Sequence, residues 1–276
     1  MKRRSIIITV VATASLVLLY WPTFRWLFQA WLSNPYYSHG FLVPVVSGFF
    51  VWTKRSELKG KEPSITGAFV LALGAFVYIL GFVWGMRFLC ALSLLIVLSG
   101  LSLSFFGTRA TRAMAFPLCF LLFMIPPPFI QETGFFLQSI SVTSAAWLLS
   151  VAGLPVTTAG PEIHLGDTTF TIGLPCSGIN TLIALLALAA VYAYVLKGPI
   201  YKRVIILVVA FPIAVLANIL RVVSIILVAN YHSIEAASGL FHDLSSPIFF
   251  VIAFLGLLGL GRILGCRLSP DAARGQ

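Results

Sequence analysis

Long apolar runs constrain this chain more than any other feature of its sequence. Several of them approach or exceed the ~20 residues that an α-helix needs to cross the hydrocarbon layer of a bilayer. Hydrophobic residues make up 59% of the chain and charged residues 9%, against about 25% charged residues in an ordinary soluble domain. Such a chain cannot cover itself with polar surface in water, so we predict an all-α integral membrane protein.

Eight apolar segments are predicted to cross the membrane. They lie near residues 5–28, 41–53, 65–84, 88–106, 113–125, 178–196, 204–229 and 247–264. The first run continues well beyond Ala12-Thr13-Ala14, which favours an uncleaved signal anchor over a removed leader. No repeat, low-complexity tract or soluble domain is evident, so we predict that residues 1–276 form a single polytopic membrane domain.

The basic residues predict the orientation of the chain. The net charge is +10, but Lys and Arg lie in short loops between the apolar runs and form no patch of the kind that binds nucleic acid. With the N-terminus in the cytoplasm, 15 of the 18 basic residues fall on the cytoplasmic side, as the positive-inside rule requires. The exceptions are Arg25, Arg87 and Arg221. We therefore expect both termini in the cytoplasm.

The apolar segment at 129–151 would reverse every later loop if it crossed the bilayer. Polar residues such as Gln138 and Ser141 recur within it among aromatic ones, as is typical of a helix that lies at the interface or re-enters. Pro126-Pro127-Pro128 ends the preceding span. We predict that this helix does not span the membrane.

Residues 161–175 differ from their apolar surroundings. Short runs of β-forming residues flank Gly166-Asp167, a pattern that predicts a small β-hairpin. The orientation given above places this hairpin on the outer face. It leads directly into Pro175-Cys176-Ser177-Gly178, at the start of the sixth predicted span.

Cys176 is the cysteine best placed for chemistry. A helix is predicted to begin near Gly178, and a helix N-terminus favours the thiolate form of a nearby cysteine. A small buried residue at a turn is an equally good interpretation of its position. The other three cysteines lie in apolar or inner-tail segments. No CxxC pair or Cys/His spacing predicts a disulfide framework, a metal site or a cofactor.

Arg221 and His242 are predicted to reach the same outer face as Cys176. Charge within an apolar span costs at least ~2.5 kcal/mol, so such a residue usually faces a protein interior or a water-filled cavity. Snorkelling to the outer headgroups is the alternative for Arg221, and simple solvation is the alternative for His242. Thiolate attack on a carbonyl needs a base and a donor for the developing oxyanion. Cys176, His242 and Arg221 can fill these three roles.

At these positions the sequence resembles the exosortase/archaeosortase family of membrane cysteine transpeptidases. Pro-Cys-Ser-Gly-Ile-Asn at 175–180 is similar to the cysteine motif of the family, and Leu-Ala-Asn-Ile-Leu-Arg at 216–221 to its arginine motif. Gly-Leu-Phe-His at 239–242 resembles the bacterial histidine motif, and Asn-Pro-Tyr-Tyr-Ser-His-Gly-Phe-Leu-Val-Pro at 34–44 also resembles exosortases. The resemblance covers most of the chain.

The resemblance implies a function and a set of catalytic residues. Cys176 would be the nucleophile, Arg221 the stabilising cation and His242 the acid/base, in an active-site half at about 155–265. The partners would be exported proteins of a bacterium with a C-terminal sorting motif such as Pro-Glu-Pro, a transmembrane helix and a basic tail. The enzyme would lie among the lipids of the bacterial cytoplasmic (inner) membrane, with its active site outside.

A non-enzymatic membrane protein is the alternative. A transporter or an exopolysaccharide assembly factor could use Arg221 to bind an anionic group and would not depend on Cys176. Transporters favour inverted repeats, and the sequence shows none. No HExxH pair indicates a metal-dependent protease.

Overall fold

Ten α-helices and two small antiparallel sheets make up the part of the chain that is described, residues 2–59 and 64–268 of a computed structural model. The helices are α1 (Lys2–Ser33), α2 (Leu42–Thr53), α3 (Thr66–Val83), α4 (Arg87–Ala113), α5 (Ala115–Phe120), α6 (Ile130–Val151), α7 (Ile179–Val195), α8 (Ile200–Tyr231), α9 (Ile234–Ser238) and α10 (Leu240–Ile263). Three positions used to predict orientation, Met1, Lys61 and Arg274, lie outside the described residues.

Six helices of the described chain are long and apolar enough to cross a membrane. They are α3, α4, α6, α8, α10, and α7 together with the 3₁₀ turn before it. The chain is therefore a multi-pass, mainly helical membrane protein, but the predicted number of eight spans is not confirmed. The helix α2 has 12 residues, and the apolar helical stretch Ala115–Met124 is also short. The helix α1 is not among the six, whereas α6, predicted not to span, is among them.

The helices pack as two compact units, within Met1–Pro127 and Pro128–Pro270 for the residues described. In the first unit, α3 and α4 form an antiparallel hairpin with glycines at the contact. Gly67, Gly74 and Gly81 recur every seven residues along α3 and are buried. Small residues at this spacing let two membrane helices approach closely.

The second unit carries the three candidate site residues. Its helix α8 packs against α6, α7, α9 and α10. A three-stranded antiparallel sheet follows α6, in the order β1 (Val156–Ala159), β2 (Glu162–Leu165) and β3 (Thr168–Thr171).

The predicted hairpin is present as β2 and β3, joined at Gly166-Asp167. Gly166 has φ 57°, the left-handed region that glycine adopts without steric cost. One face of the sheet is anchored in the unit by Ile163, which is fully buried against Val142 of α6 and Val222 of α8. The sheet therefore fixes the start of the segment that leads to Cys176.

Candidate active site

A short turn holds Cys176 in front of α7. Leu174–Cys176 form one turn of 3₁₀ helix, and Gly178 with φ 87° separates it from α7. The backbone N–H of Cys176 donates to the Gly173 carbonyl at 2.9 Å, and the thiol is half-buried. The prediction that a helix begins close to Gly178 is confirmed, and it places the thiol just before the helix N-terminus.

Asn218 of α8 anchors this turn through a hydrogen bond. Its Nδ2 donates to the Cys176 carbonyl at 3.0 Å and to Ser141 Oγ of α6 at 2.9 Å. The Asn218 side chain also fills the space beside Gly178, where a Cβ would lie 2.6 Å from Asn218 Cγ. Asn218 and Ser141 are both buried, with exposed fractions of 2% and 1%. The carbonyl of Cys176 is thus held by Asn218 of α8, which is itself fixed by its bond to Ser141 of α6.

His242 lies beside the thiol, although 66 residues separate the two in sequence. Its Nε2 is 3.4 Å from Cys176 Sγ, a distance at which thiol and imidazole exchange a proton through a hydrogen bond. The residue stands in the first turn of α10, whose start at Leu240 precedes the predicted start at 247. On the other side of the ring, Nδ1 is 3.4 Å from the exposed Asp243 carboxylate.

Arg221 is connected to His242 through one hydroxyl. Its Nε donates to Ser245 Oγ at 3.0 Å, and Ser245 Oγ donates to the His242 carbonyl at 2.8 Å. Arg221 is 6% exposed, and among the residues described no carboxylate lies within ion-pair distance. A buried guanidinium without a counter-charge is costly, so its charge is available to an anion formed nearby.

Arg221 also lies one helical turn from the residue that touches the Cys176 turn. Residues three apart on an α-helix share a face, and Asn218 precedes Arg221 by three on α8. The structure therefore connects all three predicted site residues, Cys176 to His242 directly and Arg221 through Ser245 and the face of α8.

The other three histidines occupy different surroundings. His164 Nδ1 lies 2.9 Å from Thr169 Oγ1 within the sheet. His39 Nε2 lies 3.2 Å from the Phe123 carbonyl in the first unit, where burial lowers the pKa of its imidazole. His232 ends α8. Within the described residues, no group of three His, Cys, Asp or Glu side chains could hold a metal ion.

Three residues around the site were not identified from the sequence as having a role there. Asn218 lies in the motif at 216–221, but only Arg221 was singled out from it. Ser141 contributes to the polar character of α6, a pattern that predicts a position at the membrane interface. Ser245 had no distinguishing signal. A polar residue inside a strongly apolar run is the one feature that could have marked Asn218 and Ser141.

Comparison with known proteins identifies a family. The family model described as transmembrane exosortase matches residues 31–259, a range that includes all three site residues. No curated protein and no solved structure matches the chain.

Proposed function

The chain belongs to the transmembrane exosortase family, and from this premise we propose that it is a membrane-embedded cysteine protease/transpeptidase. Its substrates would be exported proteins whose C-terminal tail carries a short sorting motif, a transmembrane helix and a basic cluster. The contact of 3.4 Å between Cys176 Sγ and His242 Nε2 carries this proposal, because a thiol nucleophile needs a base within hydrogen-bond reach.

The first chemical step forms a thioester. His242 accepts the proton of the Cys176 thiol, and the thiolate attacks the carbonyl carbon of the scissile peptide bond. The resulting tetrahedral oxyanion collapses, the C–N bond breaks and His242 returns its proton to the departing amine. The N-terminal part of the substrate is then an acyl group on Cys176, until water or an amine attacks the thioester.

Arg221 is the proposed stabiliser of the oxyanion. The backbone N–H groups of Cys176 and Ser177 donate to carbonyls within their own turn, those of Gly173 and Leu174. These two N–H groups are therefore engaged, and we assign stabilisation of the negative charge to a side-chain donor. A buried guanidinium fulfils this need, and removal of one such donor typically costs 100- to 1,000-fold in rate.

The predicted orientation fits this chemistry. If positive loops remain inside, Cys176 stands at the outer surface of the bacterial cytoplasmic membrane, with both termini in the cytoplasm. A tail held in the bilayer by its own helix would then present the peptide bond just outside the membrane at the height of the thiol.

Processing of a tailed substrate by variants of the site tests the proposal. Cys176→Ala should abolish cleavage of a co-expressed reporter that ends in the sorting motif, apolar helix and basic cluster, as read by its gel mobility. Cys119→Ala is the matched control, because Cys119 is exposed and lies in the first unit. A covalent thioester between Cys176 and the tail, trapped under acidic conditions and released by hydroxylamine, would identify the nucleophile directly.

The same experiment separates the enzyme from a non-enzymatic membrane protein. A transporter or an assembly factor that uses Arg221 for an anion would lose function with Arg221→Gln but keep it with Cys176→Ala. Normal processing by a well-expressed Cys176→Ala protein would refute the mechanism.

A further inference from the structure

A cavity of about 630 Å³ lies among α1, α3 and α4 of the first unit. Its lining includes two arginines, Arg25 and Arg87, and three aromatic side chains, Trp21, Trp26 and Tyr78. The volume is within the range of about 300–1,000 Å³ that is common for small-molecule sites. No step of the proposed reaction uses this cavity.

The two arginines bring positive charge to the cavity without a carboxylate to balance it. Among the residues described in the first unit, Glu57 is the only carboxylate, and it is paired with Lys54 Nζ at 2.7 Å. Arg87 also occupies the first position of α4, where the helix dipole disfavours a cation. Two guanidiniums held at one cavity under these conditions favour an anionic ligand.

Arg25 and Arg87 are also two of the three basic residues that depart from the positive-inside pattern. The structure brings this pair together, although 62 positions separate them in sequence. Cations on the outer side are not needed to set orientation. Their meeting at one cavity is therefore consistent with a binding role.

The aromatic residues indicate which anion the cavity accepts. Tryptophan and tyrosine rings concentrate at the level of the lipid headgroups, and Trp21 is 62% exposed. Tyr78 is held in place because its hydroxyl donates to the Leu19 carbonyl at 2.8 Å. The cavity thus offers guanidiniums that match phosphate oxygens beside rings that suit the upper part of an acyl chain.

We propose that this cavity binds the phosphate of an anionic phospholipid headgroup, with Arg25 and Arg87 as its ligands. The lipid would neutralise the two guanidiniums and fill the space among the three helices. Because it binds in the first unit, the site is independent of the chemistry proposed for Cys176.

Binding of a brominated lipid to the purified full chain tests the proposal. Bromine atoms quench nearby tryptophans, so phosphatidylglycerol with brominated acyl chains should quench fluorescence saturably in detergent micelles. Brominated phosphatidylcholine should quench only the exposed tryptophans, to a smaller extent and without saturation at low lipid concentration. Arg25→Gln/Arg87→Gln should bind phosphatidylglycerol about 30-fold more weakly, since each arginine near an anionic lipid contributes roughly fivefold.

Arg109→Gln/Arg112→Gln is the matched control. It removes the same amount of charge from exposed positions of α4 that do not line the cavity, and should bind phosphatidylglycerol as the wild type does. An equal loss of phosphatidylglycerol affinity in the two double variants would show that only net charge matters and would overturn the proposal. Equal quenching by the two lipids would overturn it as well.

Competition distinguishes a lipid from a soluble anion. Sodium phosphate or glycerol 3-phosphate at the concentration of the lipid should not reverse the quenching, and reversal would overturn the lipid assignment. If the Arg25→Gln/Arg87→Gln protein does not fold, the Arg25→Lys/Arg87→Lys protein tests the proposal in its place. It keeps both charges but loses the two-pronged geometry of guanidinium, so binding should weaken several-fold, and unchanged binding would contradict the assignment.

Discussion

At the scale of single residues, the geometry of the site depends on hydrogen bonds to side chains that do no chemistry themselves. Asn218 holds the carbonyl of Cys176, and Ser245 connects Arg221 to the backbone of His242. Each is buried, and an unpaired partner left behind by its removal would cost about 1–3 kcal/mol. Substitutions here should therefore change activity without touching a reacting atom.

Ser245→Ala should lower substrate processing by about tenfold or more. The change leaves Arg221 Nε without its acceptor, Ser245 Oγ, so the cation loses the contact that positions it. Ser224→Ala is the control, since Ser224 Oγ only donates back to the Arg221 carbonyl within α8, a bond that a helix tolerates losing. Processing assays would show the difference, and equal activity of the two variants would contradict the role of Ser245.

Gly178→Ala should destabilise the turn that carries Cys176 more than its backbone conformation alone explains. A φ of 87° costs a residue with a Cβ about 1–2 kcal/mol, and the new Cβ would also press on Asn218. Gly153→Ala has the same conformational cost at φ 88° but meets nothing within 4 Å.

The comparison of these two glycine variants isolates the contact with Asn218. Thermal unfolding followed by tryptophan fluorescence should show the larger loss for Gly178→Ala, and iodoacetamide should alkylate its Cys176 at an altered rate. Equal unfolding temperatures would show that Asn218 simply moves aside.

At the scale of elements, the apolar runs predicted most helices to within a few residues. The predicted spans 65–84 and 178–196 correspond to α3 and α7. The predicted end at 106 coincides with the point where Gly107 breaks the helical path of α4 with φ 83°. The last span was predicted to start at Pro247, whereas α10 starts at Leu240 and contains Pro247 within the helix.

Features that depend on tertiary contacts were not predictable. The sequence of β1 (Val156–Ala159) is typical of a polar loop, and this segment becomes a strand only because it pairs with β2. The bonds from Asn218 to Cys176 and to Ser141 connect residues 42 and 77 positions apart. No residue spacing in a single sequence predicts such long-range contacts. Hydrophobic periodicity and turn residues, by contrast, are local patterns that predict helices and turns.

The α3–α4 hairpin should tolerate no side chain at Gly74. A Cβ there would lie 2.6 Å from Val97 Cγ2, so Gly74→Val has to push the helices apart, at a cost of about 1–3 kcal/mol. Ala72→Val, on the exposed face of α3, also adds apolar volume but does not meet α4. Unfolding temperatures in one detergent should fall only for Gly74→Val, and a fall for both would point to the helix propensity of valine.

At the scale of the whole molecule, the role of α6 decides the path of the chain through the membrane. The helix is 22 residues long with a mean hydropathy of 1.4 in its most apolar part, the lowest of the six candidate spans. Two of its polar residues, Gln138 and Ser141, are buried in contacts with the Ile172 carbonyl and Asn218. Their burial explains the polar pattern of α6 without an interfacial position.

Cysteine labelling in intact cells should show both ends of α6 on the outer side, as the positive-inside rule predicts. Gln131→Cys and Thr158→Cys place single thiols at exposed positions in the first turn of the helix and beyond its end, in a background with the four native cysteines replaced. A membrane-impermeant maleimide should label both without cell lysis, and Glu57→Cys only after lysis. Labelling of one end alone would show that α6 crosses the membrane.

The two-stranded sheet formed by β4 (Leu196–Lys197) and β5 (Arg267–Leu268) has a practical consequence. β4, between α7 and α8, pairs with β5, which follows α10. The pairing joins the connection between α7, which follows Cys176, and α8, which carries Arg221, to the end of α10, which carries His242. Truncation of the chain before Arg267, or fusion of a bulky tag there, would remove this pairing. The helices around the active site would then be held less firmly at the end opposite Cys176.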